Sequence, residues 1–195
     1  MIADLSMLLV LAASLTAAAS PLGFSDSCGK TVMQTDSIVI RLLETPGSNV
    51  KTVEALFIVR ANPAECNATV LDFEHYPEFM PNITGTTFVE RRKDRPVYQF
   101  VFKVALWTIS YTNIFTCRQP SDRCYEINWD FVSGDIKKTT GSWTIKPDPH
   151  TPGAAIIRYK AYIDTGMLVP GWVRDRLTTK SVPAMIAGIK KRVAN

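Results

Sequence analysis

The chain has 195 residues, of which 46% are hydrophobic and 21% charged, and carries a formal net charge of +4. These values exclude a disordered polymer or a fibrous protein and suit one ordinary globular domain able to bury a real core. The charge is too small, and the basic residues too little interleaved with aromatics, for a nucleic-acid partner.

The first segment differs in kind from the rest. Leu5 to Leu15 is an apolar run of about eleven residues, followed by Ala17-Ala18-Ala19-Ser20. That length matches a signal-peptide core and falls short of the ~20 residues of a membrane-spanning helix. Residues 1–19 are therefore expected to be a signal peptide cleaved near Ala19, giving an exported, periplasmic or secreted protein. Met1 to Asp4 supplies no Lys or Arg, so an uncleaved anchor or a buried N-terminal helix stays open.

Export gives meaning to the four cysteines, because oxidising compartments preserve disulfides. Cys117 and Cys124 flank the turn Arg118 to Arg123 and are the preferred pair, which leaves Cys28 with Cys66. Alternation places Cys117 with Phe115 and Cys124 with Glu126, on opposite faces, so this pairing needs a bulge in the turn. The thiols show no zinc spacing, and neither a metal nor a cofactor is expected.

Residues 20–36 read as a loosely held lead-in, with the domain proper over 37–195. Ser37 to Leu43 and Lys51 to Arg60 form a strand pair around the turn Thr45 to Asn49. Asn62 followed by Pro63 is a helix start, predicting a helix from Pro63 to Phe73. Tyr76 to Pro81 holds two prolines four residues apart, which allows one helical turn or a lid. Six strands follow, over Thr86 to Arg92, Val97 to Lys103, Trp107 to Cys117, Cys124 to Phe131, Gly141 to Lys146 and Ala154 to Asp164. Pro170 to Val193 is a long amphipathic helix, kinked by Pro183 near Thr179 to Val182. Its apolar stripe has one surface large enough to receive it, the concave face of the curved antiparallel sheet.

This element order resembles the α+β helix-grip fold of the START-like (SRPBCC) superfamily. Asp72-Phe73-Glu74-His75-Tyr76-Pro77-Glu78-Phe79-Met80-Pro81 resembles a segment of coenzyme Q-binding, polyketide cyclase/dehydrase-type proteins. Leu168 to Trp172 and Ser181 to Met185 resemble their last-helix segment. The resemblance implies a cavity between sheet and helix that takes up a hydrophobic small molecule such as a lipid, quinone, sterol or polyketide. The signal segment and cysteines depart from the intracellular quinone-binding and ribosome-associated members.

The aromatics Tyr76, Phe79, Trp107, Tyr111, Trp129, Trp143 and Trp172 fall on segments expected to line the gap, as core or as ligand contacts. Arg158 lies on an ambiguous strand. Facing inward, it would be a buried cation in need of an anionic partner such as a ligand headgroup. His75 and His150, the two histidines of the chain, read respectively as a structural residue near the mouth and a solvated loop residue. No nucleophile, nucleotide or zinc motif occurs, so no catalytic residue is assigned. Three function classes result: a hydrophobic-ligand binder, a cyclase- or dehydratase-like enzyme, and an interaction domain with a filled core. A gate is expected where Tyr76 to Asn82 meets Leu168 to Trp172, with Arg174 and Arg176 assisting transient contact with a membrane surface.

Overall fold

The computed structural model describes residues 29–104, 106–166 and 180–194. The expected signal segment, its cleavage site and Cys28 lie outside them, as do Leu168 to Trp172, Arg174 and Arg176. Nine strands form one antiparallel sheet: β1 (Gly29–Thr35), β2 (Ile38–Thr45), β3 (Ser48–Val59), β4 (Ile83–Arg92), β5 (Arg95–Val104), β6 (Trp107–Ser121), β7 (Cys124–Gly134), β8 (Lys138–Pro147) and β9 (Ala155–Asp164). Their spatial order is β1-β2-β3-β9-β8-β7-β6-β5-β4. Consecutive strands are joined by hairpins except β3 and β4, β3 pairing instead with β9. At that point the chain leaves the sheet to build helices α1 (Pro63–Leu71) and α2 (Tyr76–Phe79) before returning at β4.

Helix α1 starts where the Asn62-Pro63 signal places it. The Glu65 N–H donates to Asn62 Oδ1 at 3.0 Å and the Asn62 N–H donates to Glu65 Oε2 at 3.1 Å. This reciprocal box satisfies two of the backbone donors a helix start leaves over. The helix ends at Leu71, two residues earlier than expected, and a 3₁₀ turn over Phe73–His75 leads into α2. The last helix, α3 (Val182–Val193), buries Val182, Met185, Ile186 and Ile189, an i, i+3, i+4, i+7 stripe facing the sheet. Lys180 and Ser181 just before it are π-helical, where Pro183 removes an N–H from the hydrogen-bond ladder.

Against that stripe the sheet presents Ala55, Phe57, Phe100, Phe115, Ile127, Trp129, Trp143, Ile145 and Ile157, all buried. Alternation along each strand sets this face. The same alternation leaves a smaller apolar cluster on the other side, Val39 and Leu56 with Ile58 and Ile156 packed against them.

Two expectations are corrected. Gly29–Thr35, read as part of a loose lead-in, is the edge strand β1, paired to β2 with a register shift between Thr31 and Met33. Cys117 and Cys124 are free thiols. The anticipated irregularity is present, between Arg118 and Ser121, yet it sets Cys117 opposite Ile127 and Cys124 opposite Ser121, several rungs apart. A disulfide needs Cα atoms within about 7 Å and Cβ vectors that converge. Cys66 is also a free thiol and fully buried. Burial, then the nearby Glu65 carboxylate, pushes it up to about 11.

Candidate functional site

The inner face carries an aromatic lining built from several elements. Phe73, in the turn after α1, packs its ring centroid 4.3 Å from Phe115, 4.9 Å from Tyr98 and 5.4 Å from Tyr76. Tyr111 stacks on Phe100 at 5.7 Å. Tyr159 lies 4.4 Å from Trp143 and is stacked on Trp129 at 5.9 Å. The Trp129 ring sits over Gly141, its cross-strand partner, where an added Cβ would come 2.2 Å from the indole. The Trp129 Nε1–H donates to Thr139 Oγ1 at 3.2 Å, satisfying the one polar atom of the indole.

Among the described residues, polar groups on this face are few and uncharged. Tyr76 donates its O–H to the Val70 carbonyl at 2.5 Å. Tyr111 and Tyr159 make no hydroxyl hydrogen bond to a described residue, and both residues are half-buried. Burial pushes Tyr111 up to about 12. Burial, then the neighbouring Tyr111, raises Tyr159 well above an ordinary phenol. For Tyr76 the causes are burial and then the Tyr159 and Tyr111 phenols, so the three phenols share one desolvated region. Asn113 stands two residues from Tyr111 on β6 and opposite Tyr98, on the inner face. It is 4% exposed and its Oδ1 has no partner.

The Tyr76 to Asn82 half of the expected gate is clamped to the last helix at three heights. Asn82 Nδ2 donates to Ser181 Oγ at 2.8 Å. At Gly188 an added Cβ would lie 2.1 Å from the Phe79 carbonyl oxygen. Arg192 donates to Asp72 Oδ2 and Glu78 Oε2, each at 3.1 Å, with its guanidinium carbon 5.6 Å from the Phe79 ring centre. His75 Nδ1 completes the cluster 2.5 Å from Asp72 Oδ1, so His75 is structural and half-exposed, outside the aromatic lining.

The hydrogen bond to Asp72, then its charge, raises the His75 pKa. Burial works to raise Asp72, but hydrogen bonds from His75 and Arg192 together with their charges leave it below the usual carboxylate value. A raised imidazole pKa contributes stability that is complete below its unfolded value, near 6.5, and is lost as pH climbs through the folded value. A lowered carboxyl contributes above its unfolded value, near 3.9, and loses that contribution as pH falls through the folded one. The pair is therefore strongest at about pH 5. The melting-temperature difference between wild type and His75→Gln is expected to be larger at about pH 5 than at about pH 9. An equal difference at both would show that His75 stays neutral.

Of the other residues assigned from sequence, Trp107 is 40% exposed at the start of β6, beside Leu106, which is 97% exposed. Trp172 lies outside the described residues. Arg158 is on the opposite face of the sheet, its Nε 3.2 Å from Glu54 Oε1, with Lys160 Nζ 3.3 Å from the same oxygen. Ile157 and Tyr159 take the inward positions, so the headgroup role suggested for Arg158 is withdrawn. Phe73, Phe100, Asn113, Phe115 and Tyr159 belong to the lining and were not among the assigned residues, although Phe100, Asn113, Phe115 and Tyr159 follow from strand parity alone.

The fold has solved counterparts of low sequence identity. A STAR-related lipid transfer protein fragment from Xanthomonas axonopodis aligns with TM-score 0.72 at 12% identity, over 86% of this chain and 99% of that one. Human StAR-related lipid transfer protein 5 aligns at 0.76 and 13%, over 87% and 88%. The Zhui aromatase/cyclase from Streptomyces sp. R1128 aligns at 0.60 and 15%, over 75% and 94%. No curated protein sequence matches the chain. The family model described as polyketide cyclase / dehydrase and lipid transport matches residues 59–190. That span runs from the end of β3 into α3 and includes every residue of the aromatic lining, and the chain belongs to this family, within the START-like superfamily.

Proposed function

We propose that the chain binds a neutral hydrophobic molecule between the inner face of the sheet and the last helix, and that the molecule carries an oxygen able to accept a hydrogen bond. The observation that carries this reading is the state of Tyr111 and Tyr159. Both are desolvated enough for burial to raise their phenols, yet both residues are only half-buried, which suits side chains that line an interior space. Among the described residues their hydroxyls find no hydrogen-bond partner, and Asn113 Oδ1, buried on the same face, has none either, whereas buried polar groups are normally hydrogen-bonded. Ligand sites have this composition, mainly apolar and aromatic with a few convergent polar groups. With Arg158 outside, the described inner face presents phenols and one amide, which suit a carbonyl or hydroxyl better than a phosphate.

Exchange with a bilayer is part of the reading. Leu106, 97% exposed, projects at the β5–β6 turn. That turn follows Lys103, whose N–H donates to the Asn82 carbonyl at 2.7 Å, and Asn82 in turn holds Ser181. An apolar tip beside the entrance to the last helix is suited to dipping into lipid.

Native mass spectrometry of the purified protein should show a co-purified neutral lipid-like molecule, and its recovery after extraction gives the probe for titration. Tyr111→Phe and Tyr159→Phe should each weaken that probe by roughly 2- to 13-fold, the worth of one hydrogen bond of about 0.5–1.5 kcal/mol. Because neither hydroxyl has a partner among the described residues, the melting temperature should hold or rise. Leu106→Asp should leave affinity unchanged and slow transfer between vesicles. Turnover of an added polyketide-type substrate would replace the carrier reading with the cyclase one, and failure to bind any hydrophobic probe would remove both.

A further inference from the structure

At the far end of β6 from Leu106 and Trp107, a strand of 15 residues away, a cleft of ≈ 440 Å³ opens between the start of α1, the β6–β7 turn and the β8–β9 connection. Its polar wall includes Asp122, Arg123 and Asp148, and its apolar wall Pro63, Tyr125 and Pro152. None of these residues belongs to the aromatic lining.

Asp148 is the unusual member. It is only 7% exposed. Its Oδ1 accepts the His150 N–H at 3.0 Å, while Oδ2 is buried without a hydrogen-bond partner. The connection that holds it is fixed: the Asp148 N–H donates to the Ala154 carbonyl at 2.9 Å and the Ala154 N–H to the Thr151 carbonyl at 3.1 Å. Pro147, Pro149 and Pro152 restrict the backbone on both sides, so the loop that carries the carboxylate is held. A buried carboxylate oxygen left without a donor is costly, and no Lys, Arg or His among the described residues forms a salt bridge with Asp148.

The surroundings indicate which donor would satisfy it. The start of α1 is already capped, Asn62 Oδ1 accepting the Glu65 N–H and Glu65 Oε2 accepting the Asn62 N–H, and the Glu65 carboxylate adds negative charge near the cleft. Asp122 and Asp148 outnumber Arg123 on the wall. We propose that this cleft is a second binding site, for a small organic cation with N–H donors, an alkylguanidinium or alkylammonium. The charged head would donate to Asp148 Oδ2, and the alkyl part would lie along Tyr125 and the prolines. The volume suits a small molecule. Carboxylate-to-guanidinium pairing also supplies stronger hydrogen bonds than neutral groups do.

The test uses the full chain and agmatine, which carries a guanidinium and an ammonium, with tetramethylammonium as a cation that has no N–H to donate. Agmatine should bind saturably by calorimetry and raise the melting temperature, while tetramethylammonium at the same ionic strength should do neither. Asp148→Asn should weaken agmatine by about tenfold to a hundredfold, the loss expected for a hydrogen bond to a charged group. Should that variant fold poorly, amide chemical-shift changes in the wild type decide: agmatine should move the His150 and Ala154 signals and leave those of Tyr111 and Tyr159 in place. Equal effects of the two cations, or shifts confined to other regions, would overturn the assignment. Hydrophobic-probe binding should be unaltered by Asp148→Asn, so this site can fail without touching the carrier reading.

Discussion

Phe73→Ala is expected to destabilise the protein by about 3–5 kcal/mol, the cost of removing a buried phenylalanine from a close-packed core. Phe73 is 3% exposed and its ring meets four others, those of Tyr76, Tyr98, Phe100 and Phe115, within 6.2 Å between centroids. It also joins two parts of the chain distant in sequence, the turn after α1 and the strands β5 and β6. Aromatic pairs in such geometries are worth about 0.5–1.5 kcal/mol beyond the area they bury, so a cluster of four should put the loss toward the upper end. For a chain of this size about 2–4 °C of melting temperature is lost per kcal/mol, giving a drop of roughly 6–20 °C. A urea titration should show a lower midpoint at unchanged slope. Phe73→Leu should cost clearly less, because it keeps most of the apolar volume. A loss below about 1 kcal/mol in Phe73→Ala would mean that the neighbours collapse into the space and that Phe73 is not the hub of the lining.

The fold was legible because its elements obey local rules that tertiary context did not override. Tyr125 to Phe131 alternates without a break, and β7 buries Ile127 and Trp129. Asn62-Pro63 with Glu65 is a complete helix start, and α1 begins there. The stripe Val182, Met185, Ile186 and Ile189 identifies the buried face of α3. By contrast β1 was missed for a physical reason. As an edge strand it has one partner, its seven residues include no fully buried side chain, and a register shift breaks its periodicity. An edge needs little apolar patterning to hydrogen-bond to a strand already in place.

Errors in the candidate site have a similar origin. Ile156 and Ile157 are both apolar because β9 is covered on both faces, Ile157 by the main core and Ile156 by the cluster around Val39 and Leu56. Period-two reading fails on such a strand, and Arg158 was left ambiguous for that reason. Its partner Glu54, 1% exposed on the outer face, is on another strand and cannot be located from the local sequence. The cysteine pairing failed because register, which depends on where the β6–β7 turn closes, is a long-range property. Trp107 stands at the first position of β6 and is 40% exposed, a placement that strand alternation alone does not fix.

The last expectation concerns Gly188, where two effects of opposite sign compete. Glycine inside a helix costs about 1 kcal/mol relative to alanine, so at a helix position with free space Gly→Ala stabilises. Gly188 has no such space: an added Cβ would lie 2.1 Å from the Phe79 carbonyl oxygen and 3.2 Å from its carbonyl carbon. Backbone atoms cannot step aside as a side-chain end can. Overpacking of this kind costs about 1–3 kcal/mol, and a contact with backbone belongs at the top of that range. The balance is a net loss of about 1–2 kcal/mol for Gly188→Ala, or roughly 2–8 °C. Because the displaced partner is α2, the loss should come with a functional signature. Helix α3 must move away from Phe79, loosening the seam that Ser181, Gly188 and Arg192 close, and a bound hydrophobic probe should exchange faster. Ala187, exposed on the next position of the same helix, supplies the control: Ala187→Gly should lose about 1 kcal/mol by propensity alone with exchange unchanged. A rise in melting temperature for Gly188→Ala would mean that the helix does not approach Phe79 this closely. A fall in melting temperature with unaltered exchange would mean that the ligand enters by a route other than this seam.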